Sequence, residues 1–210
     1  MADLISKIKG VDNVTYDLQD KVSTFGGTNL LQSSLLTLYS GASGTLTKTN
    51  YPIDGSLTYV RAATTNQGFY IDNYTKLLPN TQYIISFKAA CTSGSITQFY
   101  VFRGTNHSGI TLWKDGVQIA SAGSNADISA TVSMTNNTYY DFMIKYTTPA
   151  TIGNNGNYTG HILQWNKQQS VAFTVSMKDL KWEIGTKPTE WTPAPQDLVT
   201  YSSETLEFFQ

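Results

Sequence analysis

From Asn29 to Glu183 apolar and polar residues alternate in short runs, and turn residues interrupt each run before any helical period develops. Runs rich in Val, Ile, Thr, Tyr and Phe cover residues 57–63, 68–72, 82–91, 97–103, 111–113, 117–120, 128–134, 138–147, 161–165 and 171–183. Runs of this length, punctuated by Gly, Asn, Asp and Ser, read as strands. About ten of them in one chain predict an all-β fold, a β-sandwich or jelly roll.

The first 25 residues follow a different rhythm. Leu4, Ile8, Val11, Leu18, Val22 and Phe25 recur at steps of four and three, with Thr15 in the one missing place. That spacing predicts a short N-terminal amphipathic helix. Gly10 and Asp12-Asn13 weaken it, and a helix this short is marginal alone in water. It reads either as an oligomerising stalk, a trimer for instance, or as a helix packed on the domain. The organisation expected is therefore a helix over 1–25, a sandwich over 28–197 and a tail over 198–210. Residues 206–210 stay outside the fold argument.

Two segments permit a reading of which side chains face out. In Thr111-Leu112-Trp113-Lys114-Asp115-Gly116-Val117-Gln118-Ile119-Ala120, the central Asp-Gly is a strong signal for a two-residue type I′ turn. That turn pairs Lys114 with Val117, Trp113 with Gln118 and Leu112 with Ile119. Leu112 and Ile119 then share the apolar face, and Trp113 lies with Gln118 on the wetter one. In the second segment, strand 161–165 is expected to form a hairpin with 171–176 through a polar loop at Asn166. With Val171, Phe173 and Val175 on the core face, a four-residue loop places His161, Leu163 and Trp165 on the outer one. A slip of one residue would turn Trp165 inward. Tyr158 ends a Gly/Asn-rich loop upstream, and Arg103 follows the apolar run that ends at Phe102.

Composition narrows the function classes. Charged residues make up only 14% of the 210, against roughly 25% in an average soluble protein. The polar surface is thus built from hydroxyl and amide groups, which suit a neutral ligand. The formal net charge is −1 and no basic tract is present, which argues against nucleic acid. Cys91 is the single cysteine, so no internal disulfide can form. No stretch reads as a membrane span or as a secretion signal.

Catalytic inventories come up short. His107, His161 and Cys91 are the only His and Cys residues, too few for a zinc site beside any other His/Cys chemistry. No nucleophile elbow, P-loop or dinucleotide fingerprint occurs. No glutamate precedes Glu183, and among the aspartates of the sandwich only Asp141 and Asp179 lie inside strand-like runs. A pair of facing carboxylates for glycoside hydrolysis is therefore not expected, and neither cofactor nor metal is assigned. Exposed indoles beside amides and hydroxyls are, by contrast, the chemistry that meets pyranose rings. The candidate contacts are Trp113, Trp165, Gln118, His161, Tyr158, Asn166 and Arg103.

Three segments carry a resemblance. Thr28-Asn29-Leu30-Leu31 opens the sandwich, and Leu78-Pro79-Asn80-Thr81-Gln82-Tyr83 leads into a long strand. The run from Val175 through Trp182-Glu183-Ile184 to Trp191-Thr192-Pro193-Ala194-Pro195-Gln196-Asp197 closes it. Together they resemble carbohydrate-binding modules of the family 4/9 jelly-roll type in tail and baseplate proteins of phages of Gram-positive bacteria. The resemblance implies a jelly roll whose opening and closing strands lie side by side. It implies a virion (phage tail) location, with a bacterial cell-wall saccharide and other tail or baseplate proteins as partners. It carries no ligand-binding residue with it. Such relatives often hold a structural calcium, for which no ligands can be assigned here. The expected function is a non-catalytic phage tail or baseplate adhesin module. The alternatives are a purely structural virion protein that contacts only other tail proteins, and a depolymerase. On the physical reading, Leu180, Trp182 and Ile184 form a buried strand face, Lys181 and Glu183 face away, and Trp191 clamps the exit. Neither Trp182 nor Trp191 is counted as a sugar contact.

Overall fold

The computed structural model describes residues 7–9, 15–17, 27–38, 44–61, 68–71, 77–102, 107–124, 128–134, 137–151, 161–166 and 171–198. Its strands are β1 (Lys7–Lys9), β2 (Thr15–Asp17), β3 (Leu36–Leu38), β4 (Gly44–Thr47), β5 (Leu57–Arg61), β6 (Phe69–Ile71) and β7 (Gln82–Gly94). Then follow β8 (Ile96–Phe102), β9 (Ser108–Lys114), β10 (Val117–Ser124), β11 (Ile128–Met134), β12 (Tyr140–Thr147), β13 (His161–Trp165) and β14 (Phe173–Ile184). One helical turn, α1 (Tyr51–Asp54), links β4 to β5. Each of the ten runs read from the sequence overlaps one of these strands.

The protein is an all-β jelly-roll sandwich of two antiparallel sheets. One has seven strands in the order β10-β9-β12-β7-β14-β5-β4, the other five in the order β11-β8-β13-β6-β3. Period-two alternation assigns the faces. Ile128, Ala130, Val132 and Met134 of β11 point inward, as do Phe142, Ile144 and Tyr146 of β12 and Phe173, Val175 and Met177 of β14. The centre of the core is aromatic. Phe99 packs its ring 5.3 Å from that of Phe142 and 5.2 Å from that of Trp165, and Phe69, Tyr59 and Phe173 continue the layer. Tyr59 Oη and Trp165 Nε1 are buried there with no hydrogen-bond partner among the described residues. Burial pushes the Tyr59 hydroxyl up to about 12, against the opposing charge of Arg61.

The opening and closing segments do run side by side. Leu30 N–H donates to the Trp182 carbonyl at 2.7 Å. The buried Asn29 side chain accepts from Leu31 N–H and Trp182 N–H and donates to the Thr192 carbonyl. Tyr51 of α1 adds a second tie, its hydroxyl donating to the carbonyls of Leu31 and Leu180. Ser33 N–H and Oγ–H both donate to the Asp197 carboxylate, while the Lys48 ammonium donates to the Ser33 and Leu36 carbonyls.

Three expectations are corrected. In the N-terminal segment, β1 and β2 pair antiparallel with Ile8 opposite Tyr16, where the spacing predicted a helix. Gly10 and Asp12-Asn13 fall between the two strands in the chain. Turn-forming residues there and a helix too short to hold itself together tip the balance towards cross-strand hydrogen bonds. The rest of 1–25 lies outside the described residues, as do 199–210.

The second correction concerns β13 and β14, which do not form a hairpin. β13 pairs with β6 and β8 in the five-stranded sheet, and β14 pairs with β5 and β7 in the other. The connection crosses between layers. Leu163 and Trp165 therefore face the core from the opposite sheet, and both are fully buried.

The third is in β14. A bulge falls between Lys178 and Lys181, with Asp179 in the left-handed region at φ 54°. Leu180 and Trp182 are buried as expected, but so are Lys181 and Glu183, whereas Ile184 is 46% exposed. The charged pair is covered by the chain that follows.

Because Trp165 touches Tyr59, Phe69 and Phe99 at once, Trp165→Ala should lower the unfolding free energy by about 3–5 kcal/mol. Guanidinium unfolding measures this, and a loss below about 1 kcal/mol would contradict a core position.

Candidate functional site

The outer face of the seven-stranded sheet carries a concavity. Met143 of β12 lies opposite both Ser86 of β7 and Trp113 of β9, so these three form a row across adjacent strands. Their neighbours Phe87, Phe142 and Leu112 are core residues, which sends the row itself outward. In the next outward row Asp141 lies opposite Lys88, and on the other side Lys145 lies opposite Thr111. Apart from Thr111, these outward residues line a cleft of about 660 Å³ whose wall is made by residues 188–191.

That wall is a strap running back over β14, and buried charge holds it. The Lys181 ammonium donates to Thr189 Oγ1 at 2.7 Å and to the Glu190 carbonyl at 2.6 Å. The Glu183 carboxylate accepts from Thr189 N–H at 2.8 Å and from Thr189 Oγ1–H at 2.5 Å. The two charges lie 3.6 Å apart with side chains 0% and 1% exposed. Gly27 N–H also donates to Thr189 Oγ1, and a Cβ at Gly27 would collide with the Glu183 carboxylate. Burial holds the Lys181 ammonium below its ordinary range, and the Glu183 charge acts in the opposite direction. At the far end of the strap the Trp191 ring rests edge-on to Tyr51, 6.4 Å between centroids, and its Nε1–H donates to the Leu180 carbonyl at 3.2 Å. Gly55, at φ 69°, lies beneath that ring, where a Cβ would come within 2.6 Å of it.

Trp113 is half-buried on the cleft floor. Its Nε1–H donates to Thr111 Oγ1 at 2.9 Å, which fixes the plane of the indole. The Lys145 ammonium lies 5.3 Å from the Trp113 ring centroid. At the other end of the floor the Lys88 ammonium and the Asp179 carboxylate form an ion pair at 3.4 Å, both about half exposed.

Of the candidate contacts read from the sequence, Trp113 alone lines this cleft. The turn that presents it forms as read: Asp115 and Gly116 take φ 49° and 78°, and Trp113 lies opposite Gln118. Beyond that pair a bulge sets Leu112 against Ala120 where Ile119 was expected. Gln118 is exposed but is not part of the lining. Trp165 is a core residue and no ligand contact.

Asn166 is not a ligand contact either. It is 1% exposed in a left-handed conformation, and it clasps β8. Its Oδ1 accepts from Thr97 N–H and Gln98 N–H, and its Nδ2 donates to the Ser95 carbonyl at 2.6 Å. The buried Arg61 guanidinium donates to the carbonyls of Trp165 and Asn166, locking the same corner. The His161 backbone pairs with Ile71, its side chain lying outside the described residues, as do Tyr158 and Arg103.

Residues missed from the sequence include Trp191, set aside there as a clamp. It is a clamp, and it also lines the cleft. Asp141 and Asp179, noted only as the two strand-borne carboxylates, converge here with Glu190. Lys88, Ser86, Met143 and Lys145 gave no signal beyond being the polar or outward positions of strands.

Among the described residues no group of three or more His, Cys, Asp or Glu side chains could hold a metal ion. No helix among them is long and apolar enough to cross a membrane.

No protein-family pattern matches the chain, and no curated protein matches it in sequence. Solved structures resemble it in fold. The CBM22-1 xylan-binding domain of Paenibacillus barcinonensis Xyn10C aligns at 12% identity and TM-score 0.45, covering 78% of this chain and 98% of that one. The CBM22-1–GH10 modules of Clostridium thermocellum endo-1,4-beta-D-xylanase 10B, complexed with xylohexaose, align at 10% identity and TM-score 0.44, over 77% of this chain and 28% of that one. The tripod of the bacteriophage Tuc2009 baseplate aligns at 14% identity and TM-score 0.42, over 82% of this chain and 60% of that one.

Replacing the buried pair with apolar residues, Lys181→Met with Glu183→Leu, should leave global stability within about 1 kcal/mol of the parent, while Glu183→Ala alone costs about 3–5 kcal/mol. Hydrogen exchange at the Thr189 amide should accelerate in the double variant. Unchanged protection there would mean that the pair does not hold the strap.

Proposed function

We propose that the protein is a non-catalytic glycan-binding module and that the cleft on the seven-stranded sheet is its binding site. The observation that carries this reading is the half-buried Trp113 indole, fixed by its N–H bond to Thr111 and lining the same cleft as Trp191 of the strap. Pyranose rings present apolar C–H faces to such indoles, and their hydroxyls need donors and acceptors around the rim. Ser86, Asp141 and the Lys88–Asp179 pair supply both kinds. An open shelf of this kind removes little ligand surface from water, so a single site should bind weakly, with Kd on the order of 10⁻³ to 10⁻⁵ M. Useful strength would then come from many copies presented together.

The finer reading places the module on a phage tail or baseplate, where it holds a saccharide of the host cell wall and contacts other tail proteins. The likeness of the closing segment to such modules supports it, as does the low charge of the chain. In this reading residues 1–25 join copies or anchor the module.

Trp113→Ala should weaken glycan binding at least about tenfold while moving the melting temperature by no more than a few degrees, since the residue is not in the core. Calorimetric titration with host-wall and plant-type oligosaccharides reads the first quantity and thermal unfolding the second. A collapse of the fold with unchanged affinity would sink this assignment. New reducing ends during incubation would mark a depolymerase instead. Failure of every glycan would leave a purely structural virion part. Removing residues 1–25 should reduce retention on whole host cells by loss of avidity and leave single-site affinity unchanged.

A further inference from the structure

We infer that the cleft favours glycans bearing free amino groups over neutral ones and disfavours polyanionic glycans. The inference rests on the glycan-binding reading and specifies its ligand class. Three carboxylates, Asp141, Asp179 and Glu190, and two ammonium groups, Lys88 and Lys145, border the cleft, a formal charge of 2 − 3 = −1. Their own partnerships divide them unevenly. Lys88 and Asp179 engage each other at 3.4 Å, and Lys145 is drawn over the Trp113 ring. The carboxylates of Asp141 and Glu190 have no side-chain partner among the described residues.

Both free carboxylates are held on well-fixed backbone. Asp141 sits in β12 directly opposite Lys88, and its N–H donates to Asp115 Oδ1. Glu190 lies on the strap, its carbonyl gripped by the buried Lys181 ammonium at 2.6 Å. One is thus carried by the floor strand β12 and the other by the strap, both on the lining of the cleft. A protonated amine on a bound sugar gains charge-assisted hydrogen bonds from either carboxylate. A uronate or phosphate meets both carboxylates, which outnumber the one cleft ammonium, Lys145, that has no carboxylate partner among the described residues.

The pairs are solvent-exposed, so the preference should be modest, about fivefold, and should shrink as salt is added. The test is calorimetric titration of the full-length chain with a glucosamine tetrasaccharide, its fully N-acetylated counterpart and a galacturonic acid tetrasaccharide. The pH is mildly acidic, so that amines and carboxylates are both charged. The expected order is amine over acetamide over uronate, with the first gap closing at high salt. In the Asp141→Asn/Glu190→Gln variant, whose changes are on exposed side chains, the amine-to-acetamide ratio should fall to about one. Equal or tighter binding of the acetylated sugar, or tightest binding of the uronate, overturns the charge preference and leaves glycan binding standing. Absence of binding by all three counts against both.

Discussion

A lysine and a glutamate, both sealed from water on a sandwich whose surface is otherwise mostly uncharged, constrain the rest of the site. Removing two charges from water is expensive, and their attraction offsets that cost only where further hydrogen bonds complete the set. Thr189 and the Glu190 carbonyl complete it here. The residues that satisfy the charges are the residues that form the strap. Folding cannot bury Lys181 and Glu183 without laying residues 188–191 across β14, and the cleft acquires its second wall in the same step. The bulge before Lys181 belongs to the same device, because it sets the register in which both charges come beneath the strap.

The opposite side of the sandwich shows how a core decides which aromatic groups remain for a ligand. Trp165 is among the largest fully buried side chains and sits where Tyr59, Phe69 and Phe99 meet. Its neighbour Asn166 spends its amide on β8, and Arg61 spends its guanidinium on the carbonyls of both. What resembled a polar shelf is a hydrogen-bonded corner. On the other sheet Trp113 escapes this fate because it lies on the outer face, opposite Gln118 and Met143, with its indole N–H satisfied locally by Thr111.

The resulting site is shallow, rigid and polar at its rim. A floor of β7, β12 and β9 with a fixed wall leaves little to reorganise on binding, so the entropy cost falls mostly on the ligand. The same openness limits the apolar area that can be buried, which suits a module working through repetition better than one working alone. The carboxylates along the cleft are spread over two strands and the strap, and the one closest to a cation is already neutralised by Lys88.

Much of the architecture was legible in the chain. The ten strand runs, the type I′ turn at Asp115-Gly116 and the outward position of Trp113 all follow from local alternation and turn chemistry, which depend on near neighbours. The partner of β13 did not. A strand followed by a short polar loop and another strand reads as a hairpin, and only packing of the whole core sends the chain across to the other sheet and Trp165 inward. The N-terminal hairpin escaped for a related reason: steps of three and four fit a helix, yet a segment this short has too little local stability to enforce it. Lys181 and Glu183 looked solvated because burial of a charge is decided by what folds over it. The strap that covers them, and with it the cleft, exists only once residues far apart along the chain have met.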